Sequence, residues 1–393
     1  MIKEKITQAI DILKEKNVDA WLTFVRESDT VHDPSLDFIL GTSCTWQSAF
    51  IITQEGLTAA IVGSLDVANI ESRGCYGEVI GYKESIQEAL HGVLQKLDPQ
   101  TIALNYSTDS PLADGLTHGM YLNLMKYLRK TPYAKRIISA EPIVAALRGR
   151  KSPTEIERIQ EAVQLTLVMF DRVSDYIQVG RTEKEVAAFL KEKVKEARVE
   201  LAWDPDYCPS VFTGPESAGA HAGPTDRTIA RGHLMNIDFG VKKDDYCSDL
   251  QRTWYVLREG EAEPPDDVRK AFDTIREAIQ LAAARLKPGV EGWIVDDVAR
   301  SHITSAGYDE YPHALGHQIG RFAHDGAGLL CPKWDRYGKM PHEKVEAQQV
   351  YTIEPRITLK EFGVATIEEI VVVTDSGCQF LSDPQKEIYI IKE

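Results

Sequence analysis

Two acids interrupt strand-like text in "NIDFGVKKDDYCSDLQRTWYV", residues 236–256. Asp238 stands between Ile237 and Phe239, and Asp249 follows in what reads as the return strand. A turn centred between Lys243 and Asp244 would set the two acids directly opposite on one face, with Cβ atoms about 5 Å apart. Like charges so placed destabilise a sheet unless a cation lies between them. A second pair repeats the pattern. Glu354 in "YTIEPRI" and Glu368 in "ATIEEIVVV" flank a turn around Glu361, and a symmetric odd-length loop sets them opposite each other. A lone buried carboxylate is strongly unfavourable. For any one such acid, exposure on an edge strand is the ordinary outcome. Two opposed pairs in apolar strands reverse that expectation and read as metal ligands, because two divalent cations neutralise four carboxylates.

Histidines could complete such a cluster without adding charge. "PHALGHQIGRFAHD" carries His313, His317 and His324. An oxygen-rich set with one nitrogen suits Mn, Co, Fe or Zn rather than a thiolate-seeking metal. His221, in "SAGAHAGPTDR", is either a turn residue or a substrate contact. His302 and His342 read as structural. Cys247 lies two residues from Asp249 and reads as packing, since nothing near it in sequence marks a thiolate site.

These residues need a scaffold. At 393 residues the chain exceeds what one core usually supports. Hydrophobic residues make up 43% and charged residues 27%, as in ordinary globular proteins. The formal net charge of −15 argues against nucleic acid or an anionic membrane as the main partner. No apolar run reaches the ~18 residues of a membrane span. The start, "MIKEKITQAIDILKEK", gathers Ile2, Ile6, Ala9, Ile10 and Leu13 on one helical face with Lys and Glu opposite, unlike a signal peptide. Six cysteines without C-x-x-C spacing read as free thiols in a reducing compartment, with the cytoplasm as the default.

From residue 1 to 148, strands ("DAWLTFV", "SAFIITQEGLTAAIVG", "EVIGY", "TIALNYS") alternate with helices near 84–97 and 112–129, an α/β arrangement without a nucleotide-binding glycine pattern. The basic run Arg148-Gly149-Arg150-Lys151 is the linker candidate. Ser152 as N-cap, Pro153 at the first helical position and Glu155 as the capping-box partner then open a long helix. The second domain, residues 152–393, contains an echo: "EAVQL" at 161–165 returns as "EAIQL" at 277–281. Each leads to a glycine, Gly180 or Gly289, and a second helix, which suggests two related halves about a pseudo-twofold axis.

Over roughly residues 150–385 the chain resembles the pita-bread metallohydrolases, a group of prolidases, aminopeptidase P, methionine aminopeptidases and the creatinase branch. The resemblance rests on Asp238 in "IDFG", Asp249 in "SDLQRT", His317 in "HALGHQIG", Glu354 in "TIEP" and Glu368 in "TIEE". It implies an α/β N-terminal domain followed by an α+β pita-bread catalytic domain with pseudo-twofold halves, in a homodimer. It implies two divalent ions, Mn or Co and sometimes Zn or Fe. Asp249 and Glu368 would bridge them, Asp238 would hold one, and His317 with Glu354 the other. By the same resemblance His221 faces the substrate, and His313 and His324 are further active-site histidines. The implied reaction is hydrolysis of the Xaa-Pro peptide bond by a hydroxide held between the ions. In it Glu354 moves the proton, and His324 and His221 hold the peptide and steady the oxyanion.

Departures from the family pattern fall on the pocket walls. Gln318 replaces a glycine in "GHGIG", Arg356 a glycine in "TIEPG", and Thr366 an arginine two before the last glutamate, while the segment between His324 and Glu354 is longer. Arg356, Arg336 and Lys339 each offer a partner for a substrate carboxylate. Competing readings are a creatinase-branch hydrolase or lyase acting on a non-peptide small molecule, and a binding module without catalysis. The five retained ligand positions argue against the second.

Overall fold

The computed structural model describes residues 1–216 and 223–392. The chain divides into two compact units, Met1–Arg148 and Gly149–Glu393. Among the described residues no helix is long and apolar enough to cross a membrane.

The first unit is built on a six-stranded mixed sheet. Its order is Glu78–Tyr82, Thr58–Gly63, Ser48–Thr53, Ala20–Val25, Ile102–Leu104, Ile137–Ser139. Both faces are covered, and the alternation of side chains along a strand sorts the core in two. In Ala20–Val25, Leu22 and Phe24 join one apolar cluster with Leu90, Leu94 and Leu124 of the helices Gln87–Leu97 and His118–Leu128. Trp21 and Val25 join the other, with Ile6, Ala9 and Leu13 of the N-terminal helix Ile2–Lys16. That helix is amphipathic as its spacing predicts, except that Lys5 is buried. Its ammonium donates to the Leu147 carbonyl oxygen at 2.6 Å and lies over the Phe38 ring, so the cation is satisfied inside the core.

The second unit repeats one plan twice: a pair of helices, then an acid-bearing hairpin. The first pair is Pro153–Tyr176 and Glu183–Glu196; the second is Asp266–Arg285 and Gly292–Ser305. Ser152 and Glu155 form the reciprocal capping box, Ser152 N donating to Glu155 Oε2 at 2.7 Å and Glu155 N to Ser152 Oγ at 3.3 Å. Gly180 and Gly289, the glycines of the sequence echo, both take left-handed backbone (φ 90 and 85) in the turns between paired helices.

The first hairpin pairs Leu234–Phe239 with Leu250–Val256, flanked by Ser210–Thr213 and Tyr389–Ile391. Its tip is a two-residue turn at Asp244-Asp245, both at positive φ (48 and 71). That is the backbone of the tight primed hairpin turns, here built without glycine. The turn therefore centres one residue later than the sequence reading had it. Asp238 stands opposite Gln251, and not opposite Asp249. A shift of two positions preserves the face, so Asp249 becomes the diagonal neighbour of Asp238. Gly240 is required beside it, since a Cβ there would lie 1.9 Å from the Ser248 carbonyl oxygen.

The second hairpin has the expected register. Ile353 stands opposite Glu369 and Arg356 opposite Thr366. One register thus runs through both segments and brackets Glu354 and Glu368 at the break between them.

Candidate metal centre

Each acid of the two hairpins sits where a strand begins, ends or breaks. Asp238 lies near the end of Leu234–Phe239, Asp249 just before Leu250–Val256, Glu354 just after Val350–Ile353, and Glu368 just before Glu369–Val373. The short strand Gly316–His317 supplies the imidazole. His317 Nε2 lies 3.6 Å from Glu354 Oε1, 3.7 Å from Asp249 Oδ2 and 3.9 Å from Glu368 Oε1. Ligand atoms of Asp249, His317 and Glu368 all fall within 4.8 Å of one another.

Burial and crowding dominate the electrostatics of this cluster. Desolvation lifts the Asp238 carboxyl to about 7, against a hydrogen bond with Asp249 that lowers it. Asp249 is pushed well above the usual carboxylate range by burial, and further by the charges of Asp238 and Glu354. Glu354 is raised by burial and then by Asp238, and Glu368 by burial and then by Asp249, Glu354 and Asp238. Four carboxylates so placed cannot all be ionised without a cation among them. Two buried oxygens, Asp238 Oδ1 and Glu368 Oε1, have no hydrogen-bond donor among the described residues. Four carboxylates, one imidazole and orphaned oxygens form a donor set that fits hard or borderline divalent ions.

Gln251 is the residue the sequence reading missed. Its Nε2 donates to Glu368 Oε2 at 2.9 Å and to Glu354 Oε2 at 3.1 Å. The signal was available: Gln251 lies two residues past Asp249, so strand alternation aims it at the same face.

Beside the cluster opens a cavity of about 440 Å³, lined among others by His313, His317, His324, Glu354, Arg356 and Thr366. That volume suits a small ligand. The His324 ring meets His317 edge-on at 4.1 Å. His313 lies in the wall, its carbonyl oxygen accepting from Arg300 Nη2 at 2.8 Å. Arg356 reaches the cavity with its Nε buried and without a partner among the described residues, and burial lowers its pKa. His221 lies outside the described residues.

Other candidates are accounted for elsewhere. Arg336 donates to the Pro312 carbonyl oxygen at 2.6 Å and stacks on Trp334 and Tyr337. Neither it nor Lys339 lines the cavity. Burial pushes the Cys247 thiol up to about 12, so it packs rather than reacts. His302 and His342 pair with Glu277 and Glu291. Gln318 fits because two neighbours lack side chains. A Cβ at Gly326 would lie 1.7 Å from its Oε1 and one at Gly328 2.4 Å from its Nε2, while that nitrogen donates to Tyr351 Oη at 2.9 Å.

Known proteins place this geometry. The chain is similar to an uncharacterized peptidase of Staphylococcus saprophyticus, 29% identical over 392 residues, which span 97% of this chain and 100% of that one. It is also similar to a Xaa-Pro dipeptidase of Pyrococcus horikoshii, 26% identical over 391 residues, or 99% of both chains. The crystal structure of an X-Pro aminopeptidase from Thermotoga maritima superposes with a TM-score of 0.71 at 25% identity, covering 98% of this chain and 99% of that one. Residues 157–375, more than half the chain and all the clustered acids, match the sequence profile of metallopeptidase family M24. The chain therefore belongs to family M24 and is a metal-dependent hydrolase with the pita-bread fold.

Proposed function

We propose that this peptidase hydrolyses the Xaa-Pro bond of short peptides with two divalent ions, Mn or Co before Zn or Fe, held by Asp238, Asp249, His317, Glu354 and Glu368. The carrying observation is the buried convergence of three acids on one imidazole, with Asp238 hydrogen-bonded to one of them and two carboxylate oxygens left without donors among the described residues. Such ions, when bound, make water nucleophilic near neutral pH and polarise the scissile carbonyl.

The chain's own groups supply the rest. Glu354 takes the proton of the attacking water and passes it to the leaving nitrogen, a role supported by its place beside His317 in the cavity wall. His324 and His221 steady the tetrahedral oxyanion, and His313 contacts the substrate from the wall. Arg356 binds the substrate carboxylate; a guanidinium in the cavity wall whose Nε has no partner among the described residues supports that assignment. The leaving nitrogen belongs to proline, which has no N–H once acylated, so recognition falls on its ring and carboxylate. By family resemblance we place the enzyme as a homodimer, and its six free thiols fit a cytoplasmic setting.

The test is an assay of Mn- or Co-loaded protein on Gly-Pro, Ala-Pro, Xaa-Pro tripeptides and creatine. Proline release from the dipeptides is expected. Turnover of creatine alone would move the protein to the non-peptide branch, and no turnover of any peptide with metal bound would end the proposal.

A further inference from the structure

Gln251, 4% exposed, faces Asp238 across the first hairpin. Its amide nitrogen reaches both second-hairpin acids, and its Oε1 accepts from Thr366 Oγ1 at 3.0 Å. An amide has two N–H protons, and here each is directed to a different carboxylate. The opposite orientation would set the amide carbonyl against two anions, so the two carboxylates and the donating hydroxyl of Thr366 hold the amide in the same orientation. Thr366 is itself fixed: its carbonyl oxygen accepts from Thr253 Oγ1 at 2.6 Å and Asn236 Nδ2 at 2.8 Å. Its hydroxyl has one other acceptor in reach, the Pro355 carbonyl oxygen at 3.3 Å. The nearer bond, to Gln251, leaves no donor unused.

We propose that Gln251, oriented by Thr366, is a positioning residue for the metal centre. It holds Glu354 and Glu368 by one oxygen each, so that Glu354 Oε1 and Glu368 Oε1 are the atoms turned toward His317 Nε2. Two carboxylates from the second hairpin are thereby set by one side chain of the first. The inference rests on the metal-dependent reading above.

The test is calorimetric titration of the metal-stripped full-length protein with Mn²⁺, the metal-free melting temperature serving as the check on folding. Gln251→Met and Thr366→Val should each weaken Mn²⁺ binding by about tenfold, the low end for groups that orient ligands. Thr366→Ser, which restores the hydroxyl, should bind within about twofold of the wild type, a difference far below that tenfold effect. In a Gln251→Met background, Thr366→Val should add no further loss, because the hydroxyl then has no amide to orient. Wild-type-like binding by Thr366→Val, equal losses in the Val and Ser variants, or additive losses in the double variant would overturn the proposal while leaving the metallopeptidase reading intact. If Gln251→Met does not fold, the Val and Ser variants decide the matter. A wild-type chain that takes up no Mn²⁺ would overturn both.

Discussion

Arg356 stands directly opposite Thr366 in the hairpin that follows Glu354, and both side chains line the cavity. Directly opposed residues of an antiparallel pair share a face. The arginine that the family pattern places at position 366 is thus absent here, while a guanidinium enters the same face from the facing strand. Among the described residues its buried Nε has no hydrogen-bond partner. Arg356→Met should raise KM for Gly-Pro by tenfold or more, roughly the worth of a charge-assisted hydrogen bond. The C-terminally amidated peptide should lose little. Equal losses on both substrates would remove the carboxylate from the argument.

Glu354 has two tasks in the proposed function, ligand and proton carrier, and Glu354→Gln separates them when metal content is measured alongside rate. We expect kcat to fall by at least ~100-fold, the scale of a lost general base, in protein that still carries metal by elemental analysis. A fully loaded variant turning over at the wild-type rate would show that another group moves the proton.

The crowded acids make the metal-free protein sensitive to pH. Burial raises the carboxyl of Asp238 to about 7 in the fold, and Asp249, Glu354 and Glu368 also stand above their ordinary values. An acid whose pKa is raised by folding keeps its proton in the fold to a higher pH than in the unfolded chain. Its stabilising contribution is complete below the unfolded pKa and is lost as pH rises through the folded one. The melting temperature of the stripped protein should therefore fall between about pH 5 and pH 8. Divalent metal reverses the trend, since it binds the deprotonated acids, so its stabilising shift should be larger at pH 8 than at pH 5. Scanning calorimetry with and without chelator reads both. A flat or rising metal-free profile would contradict this account of the cluster.

Behind the centre, Arg252 and Glu369 form a fully buried ion pair at 3.1 Å. Arg252 Nη1 also donates to the Glu368 carbonyl oxygen at 3.0 Å, so the pair fixes the backbone of a proposed ligand. Arg252→Met leaves Glu369 buried without its cation and should cost about 3–5 kcal/mol in urea unfolding, as broken buried pairs do. A loss below about 1 kcal/mol would show that the core relaxes around the acid.

Much of the site was legible because its signals are local. Acids in apolar strands announce themselves by type, and the alternation of side chains fixes their face. That is why the face of Asp249 survived an error in the turn. Its register did not, since two left-handed aspartates make a tight turn that ordinary glycine signals do not mark. The second hairpin was read correctly because its loop is short and symmetric about Glu361.

What sequence alone determined, then, is the set of residues that burial would make intolerable without a cation, and the face each occupies. Which of them meet was decided by the tertiary structure. Packing of the two halves brings Gln251 onto Glu354 and Glu368, 103 and 117 residues away, and His317 against three of the four acids. Strand periodicity reports the direction of a side chain from its immediate neighbours. The approach of two hairpins depends on how distant surfaces fit together, and no local spacing encodes that.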